Sequence, residues 1–167
     1  MRVGMEATGY SRWFERLLAE EANKRPEALR LMTHPGVGPI TALAYVLIIG
    51  TPERFHRGKQ IGTYVGMIPT EDSSAGKQRL GHISKQGNSL LRYLLVEAAQ
   101  AATRFNPHWR RRYLHLAMRR HRSIAKVAMG RRMAIRLYWT WRNGCEYLPS
   151  LEFGSYAGQL EKRQGGK

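Results

Sequence analysis

The sequence predicts a mainly α fold: a helix-hairpin-helix joined to a helical bundle, with a short β-hairpin or irregular serine-bearing insertion. Three observations carry this. Apolar residues recur at three- and four-residue intervals through 89–104 and 123–142, the spacing of one helix face. Gly36-Val37-Gly38 separates two apolar runs. The polar stretch Met67–Gln86 is the one segment of real length with a β-like or irregular pattern. A chain of 167 residues, 43% hydrophobic, is long enough for one ordinary core and too apolar to be disordered throughout.

Taken in order, Arg2–Ala7 reads as a short strand, and Tyr10–Glu21 as a helix with Trp13, Leu17 and Leu18 on one side. Ala22–Glu27 is charged and holds Pro26, which suggests a junction. Ala28–Met32 is a short helix, His34–Pro39 a tight turn, and Ile40–Ile49 an apolar helix. Thr51-Pro52 has the cap-then-proline order of a helix start, and that helix is expected to run through Gln60 to Val65. Asn88 should cap a helix over Ser89–Arg104, with Leu91, Leu94, Leu95, Ala98, Ala99 and Ala102 as its apolar face. Asn106-Pro107 opens another helix, to about Arg120, and Ser123 a third, to Arg142, stopped by Asn143-Gly144. From Cys145 onward the composition turns to Gly, Gln and charge, the mark of a loose tail. The expected division is 1–27, 28–144 and 145–167.

The net charge of +16 favours a polyanionic partner, with nucleic acid first; a ribosome-associated basic protein is a reading that composition alone supports. Cys145 is the single cysteine, so no disulfide forms within the chain, which suits a reducing cytoplasm. The first eight residues lack a secretory pattern, and the longest apolar run, Ile40–Ile49, is too short to span a bilayer. The expectation is a cytoplasmic protein with no membrane partner.

Three places carry candidate chemistry. Gly36 and Gly38 allow a tight turn and leave backbone N–H groups bare at the next helix's start, where they can hold a DNA phosphate without reading sequence; a plain turn between packed helices is the competing explanation. Between Ala98 and Cys145 there is no Asp or Glu, while Trp109–Arg142 holds ten arginines and one lysine. Arg110, Arg111, Arg119, Arg120, Arg122, Arg131 and Arg132 are the candidate phosphate ligands. Among the interleaved residues, Leu114, Met118, Ile135, Tyr138 and Trp139 have core spacing. Finally, Ser73, Ser74, Lys77, Arg79, Ser84 and Lys85 place hydroxyls beside cations just ahead of a helix start, a combination suited to a phosphate. Ser-Ser-Ala-Gly is also ordinary turn composition.

From about Leu31 to Arg142 the chain resembles the C-terminal domain of the insertion-sequence 110/116/902 transposases. The resemblance rests on HPGVGPITA, IGTPERF, GMIPTEDSSAGKQRLGHISKQGNSLLR and the pair Ala98-Ala99, in that order. It implies an RNA-guided DNA recombinase in which a serine attacks a DNA phosphate and forms a covalent phosphoserine link. The family's serine usually precedes glycine. Here Ser74, followed by Ala75, is the best positional match and Ser73 the nearby alternative. Lys77, Arg79 and Lys85 can supply positive charge as the transition state builds, and Glu71 and Asp72 are the nearest carboxylates.

Arg2–Glu20 resembles a piece of the same family's N-terminal RNase H-like domain, in which four acidic residues bind magnesium. Glu6 sits at one of those positions, as a vestigial metal ligand; a surface carboxylate near a helix start is the plain alternative. Only about fourteen residues separate Glu20 from Pro35, and Asp72 is the one aspartate in the chain. A hard cation needs several converging oxygens, so no magnesium ion is expected on this chain alone. The resemblance therefore implies an internally deleted transposase that keeps the serine domain and is impaired alone. Its implied partners are DNA, a guide RNA, and another copy or a full-length transposase. The alternative is a non-enzymatic nucleic-acid-binding protein that associates or interferes with a full-length relative.

Overall fold

The computed structural model describes residues 9–74 and 77–149. The strand expected at Arg2–Ala7, with Glu6, lies outside the described residues. Within them are seven helices and one two-stranded antiparallel sheet, so the mainly α architecture holds. The helices are α1 (Gly9–Asn23), α2 (Pro26–Met32), α3 (Pro39–Ile49), α4 (Gly58–Tyr64), α5 (Ser89–Phe105), α6 (Pro107–Arg119) and α7 (Arg122–Arg142). The strands are β1 (Pro69–Ser74) and β2 (Lys77–Ile83).

The helix starts follow from local chemistry. Asn88 Oδ1 accepts from Leu91 N at 2.9 Å, and Asn106 Oδ1 accepts from His108 N and Trp109 N at 3.0 and 3.2 Å. Each side chain satisfies donors that the first helical turn leaves bare. Pro26, Pro39 and Pro107 occupy first-turn positions, where a missing N–H costs nothing.

One core joins the helices. α7 contributes Met129, Met133, Ala134, Leu137 and Tyr138, and packs on α5, α4, α6 and α2. α5 offers Leu91, Leu95, Ala98, Ala99 and Ala102, as its spacing predicts, whereas Leu94, expected on the same face, is only half-buried. Tyr45 on α3 donates a 2.7 Å hydrogen bond to the Ala134 carbonyl of α7. α1 lies against α3, and its Ala22 is buried in the same core. No described helix is long and apolar enough to cross a membrane.

The structure departs from the sequence expectations in four further places. The helix expected from Pro52 to Val65 is a 3-10 turn, Pro52–Arg54, then an extended Phe55 and, after it, α4. Tertiary bonds break it: the Phe55 carbonyl accepts 2.5 Å and 2.7 Å hydrogen bonds from Tyr138 and Arg142 on α7. Thr51 makes no side-chain cap bond; Gln60 instead reaches back to the His56 and Arg57 amides at 2.8 and 3.1 Å.

On α1, Leu18 packs on the core while Trp13 and Leu17 face solvent. On α6, Leu114 and Met118 are exposed rather than core. The inward face of α6 is Trp109, Tyr113 and Leu116, and residues 114 and 118 fall on the opposite side at 3.6 residues per turn. Finally, the chain beyond α7 folds back at its start. Tyr147 N donates to Thr33 Oγ1 at 2.9 Å, and the Tyr147 ring lies 4.5 Å from the His34 ring.

Candidate functional site

The serine segment is a β-ribbon. Ser74 pairs with Lys77, Ser73 with Gln78, Asp72 with Arg79 and Glu71 with Leu80. Directly paired residues share a face, as do residues two apart along a strand. Asp72, Ser74, Lys77 and Arg79 therefore occupy one face of the ribbon, and Ser73 and Gln78 the other. The register shifts between Pro69 and Glu71, where β2 carries an extra residue, the local bend of a bulge. The side chains of residues 71–80, and so those of Ser73, Ser74, Lys77 and Arg79, lie outside what the structure describes. At a strand rise of about 3.4 Å per residue, Ser74 stands roughly 17 Å along β1 from Pro69.

The base of the ribbon is closely held. Ser84 N donates to Ile68 O at 2.9 Å and Lys85 N to Gly66 O at 3.1 Å. Lys85 is exposed there, with a positive φ of 54°. Arg92, one turn into α5, donates through Nη1 to the Val65 and Gln86 carbonyls, both at 3.1 Å, and to Gly87 O at 3.4 Å. Sequence patterns did not single out Arg92. Its one signal was a cation beside the first apolar residue of an otherwise apolar helix face.

In the helix-hairpin-helix turn the two glycines meet different demands. Gly36 has φ +80°, and a Cβ there would stand 2.3 Å from Ala98 O and 2.6 Å from Ala102 N. The turn is thus pressed onto the α5 backbone. Gly38 is the N-cap of α3, and a Cβ there would meet open space. Beside them His34 is buried, with Nε2 3.2 Å from Thr140 Oγ1. Burial, then the nearby Arg136 charge, pushes the His34 pKa down to about 3, so the ring is neutral.

The arginines divide into groups. Arg119, Arg120 and Arg122 are exposed at the corner between α6 and α7. Arg131 and Arg132 are half-buried; the Arg132 pKa is lowered by burial and by the charges of Arg112 and Arg131. These three cations from two helices thus lie close together. Arg131 also crosses Gly62 of α4, whose Cβ would stand 2.9 Å from Arg131 Nε. Arg110 turns to the end of α5, donating to Thr103 O at 3.3 Å and Arg104 O at 2.8 Å. Arg111 is exposed beside it. Arg136 is buried and donates to Leu148 O at 3.2 Å, while Arg142, exposed overall, donates back to Phe55 O at 2.7 Å.

The described residues contain no group of three or more His, Cys, Asp or Glu that could hold a metal ion. Their donor set does not fit a resident magnesium ion, which needs clustered oxygen ligands.

Comparison with known proteins adds a lineage to this geometry. Residues 28–114, which include most of α2, α3 to α5, the ribbon and much of α6, match the family described as "Transposase IS116/IS110/IS902 family". A Pseudomonas aeruginosa protein named "Probable family 20 transposase" is 37% identical over 114 residues, 66% of this chain and 33% of that protein. The "Transposase for insertion sequence element IS1111A" of Coxiella burnetii is 37% identical over 91 residues, 54% of this chain and 25% of its own length. The "Transposase for insertion sequence element IS1328" of Yersinia enterocolitica is 36% identical over 86 residues, 52% and 26% of the two chains. The matched part spans a third or less of each of these relatives.

Proposed function

This chain belongs to the transposase IS116/IS110/IS902 family, and from that premise we propose that it is the DNA-strand-exchange domain of such a transposase, with Ser74 as its nucleophile. The observation that carries this reading is the ribbon register, which puts Ser74 on one face with Lys77 and Arg79 and puts Ser73 on the other. A serine hydroxyl is a weak nucleophile, and the phosphate it attacks gathers negative charge in the transition state. Cations on the serine's own face answer the second need. In the step, the bond from Ser74 Oγ to phosphorus forms as a phosphorus–oxygen bond to one deoxyribose breaks. The serine proton leaves to a base, and the departing deoxyribose oxygen gains one.

In this reading the exposed arginines of α6 and α7 bind the DNA backbone. Gly38 offers a further phosphate position at the start of α3. The segment ahead of residue 28 derives from the family's RNase H-like domain, shortened between Glu20 and Pro35, and Glu6 is a remnant of its acidic set. Magnesium and its ligands come from a full-length partner in this reading, because a hard cation needs several converging oxygens and Asp72 is the one aspartate in the chain. The chain is then impaired alone and competent, or interfering, in mixed assemblies.

The test uses branched DNA, magnesium and denaturing gels. The chain alone should give no covalent adduct. Added to a full-length family member whose own serine is replaced by alanine, it should give an adduct of its own size that disappears in Ser74→Ala. An adduct surviving Ser74→Ala and lost in Ser73→Ala would move the nucleophile. No adduct in any mixture would favour the non-enzymatic DNA-binding reading.

A further inference from the structure

Where α5 ends and α6 begins, the surface changes character. Phe105, the last residue of α5, is 82% exposed; Met118 and Leu114, on the outer side of α6, are 87% and 52% exposed. They share one open concavity with Arg104, Arg111 and His115. Large apolar groups gathered in water mark a docking surface. The face has no core to return to, because Trp109, Tyr113 and Leu116 already fill the inward side of α6. Arg110, bonded to the Thr103 and Arg104 carbonyls, fixes the corner.

The edge of this concavity identifies its occupant. It is cationic, and among the described residues no carboxylate, amide or hydroxyl side chain lines it. An exposed aromatic ring sharing a concavity with guanidinium groups suits an unpaired nucleotide, with the base on the ring and its phosphates on the arginines. A duplex keeps its bases stacked and would leave Phe105 in water. The lining holds no carboxylate, amide or hydroxyl side chain to accept from a ribose 2′-hydroxyl, and the choice of DNA over RNA follows from the transposase reading.

We propose that the α5–α6 corner is a stacking platform for an unpaired DNA nucleotide, with Phe105 under the base and Arg104 and Arg111 on the flanking phosphates. This rests on the reading that the chain binds DNA, and it adds a site separate from the serine ribbon. Exposed single-stranded bases, as at a branch or an opened duplex, are what it takes.

The test measures binding of the full chain to labelled oligothymidylate, to a duplex of the same length and to oligouridylate, at one salt concentration. Phe105→Ala should weaken oligothymidylate binding about tenfold, leave duplex affinity within about twofold, and be rescued by Phe105→Trp. Because Phe105 is a surface residue, the variant's melting curve should match that of the unaltered chain. Four results would overturn the platform: unchanged oligothymidylate binding, an equal loss on duplex, a loss confined to oligouridylate, or a dimer in sedimentation that Phe105→Ala dissociates. Failure of the unaltered chain to bind either DNA would instead refute the DNA reading itself.

Discussion

Gly66 and Gln86 cross at the base of the serine ribbon so closely that a Cβ on Gly66 would stand 1.9 Å from the Gln86 carbonyl oxygen. Gly66 also has φ +73°, a backbone region that disfavours any Cβ-bearing residue. The crossing sets the point from which β1 and β2 leave the helical body. Gly66→Ala should therefore lower stability by about 2 kcal/mol or more, combining strain with a backbone clash. Thermal or denaturant unfolding checks this. A variant as stable as the parent would mean that the ribbon base repacks freely.

Arg92 holds the same crossing from the side of α5. Replacing it with Met keeps most of the aliphatic stem and removes a donor shared by three carbonyls. The expected loss is about 1–3 kcal/mol, concentrated at the ribbon. Hydrogen exchange should show faster loss of protection at the Ser84 and Lys85 amides than in α7. Uniform acceleration across the domain would place the role of Arg92 in global stability instead.

His34 predicts a pH dependence. Its folded pKa is about 3 against an ordinary 6.5. Between those values the unfolded chain binds a proton at this residue that the folded chain refuses, so its contribution is full above about pH 6.5 and is lost as pH falls toward 3. The slope should approach about 1.4 kcal/mol per pH unit within that window. His34→Gln should flatten the slope of unfolding free energy between pH 6.5 and pH 4, whatever it does to stability at neutral pH. An unchanged slope would contradict the burial of a neutral ring.

The exposed corner between α6 and α7 predicts a salt effect. Reversing Arg119, Arg120 and Arg122 to Glu should weaken DNA binding at every sequence. It should also make the salt dependence shallower, by about 0.9 in log–log slope for each DNA phosphate that is no longer neutralised. Affinity measured across a salt series decides this, and an unchanged slope would show that these arginines touch no phosphate.

Much of the fold was legible because its signals are local. Asn88, Asn106 and Pro107 mark helix starts through bonds made within one turn. The period of α5 names its buried face before any partner is known. Three features depended on what lies opposite. The break at Phe55 comes from Tyr138 and Arg142, residues more than eighty positions away. Leu114 and Met118 have apolar spacing, yet Trp109 decides which side of α6 turns inward. Arg110 reads as one of a basic run, but its guanidinium closes the end of α5.

By itself the sequence determined the helical class, the caps at Asn88 and Asn106, the basic character of the C-terminal half and the family to which residues 28–114 belong. These depend on residue identity and short-range spacing, which the chain carries at every stage of folding. Tertiary structure alone decided which serine shares a strand face with Lys77 and Arg79, which arginines bond back to the chain's own carbonyls, and where apolar side chains remain in water. Those outcomes are set by pairing register and by competition among helix faces for one core, and neither is a property of any single segment.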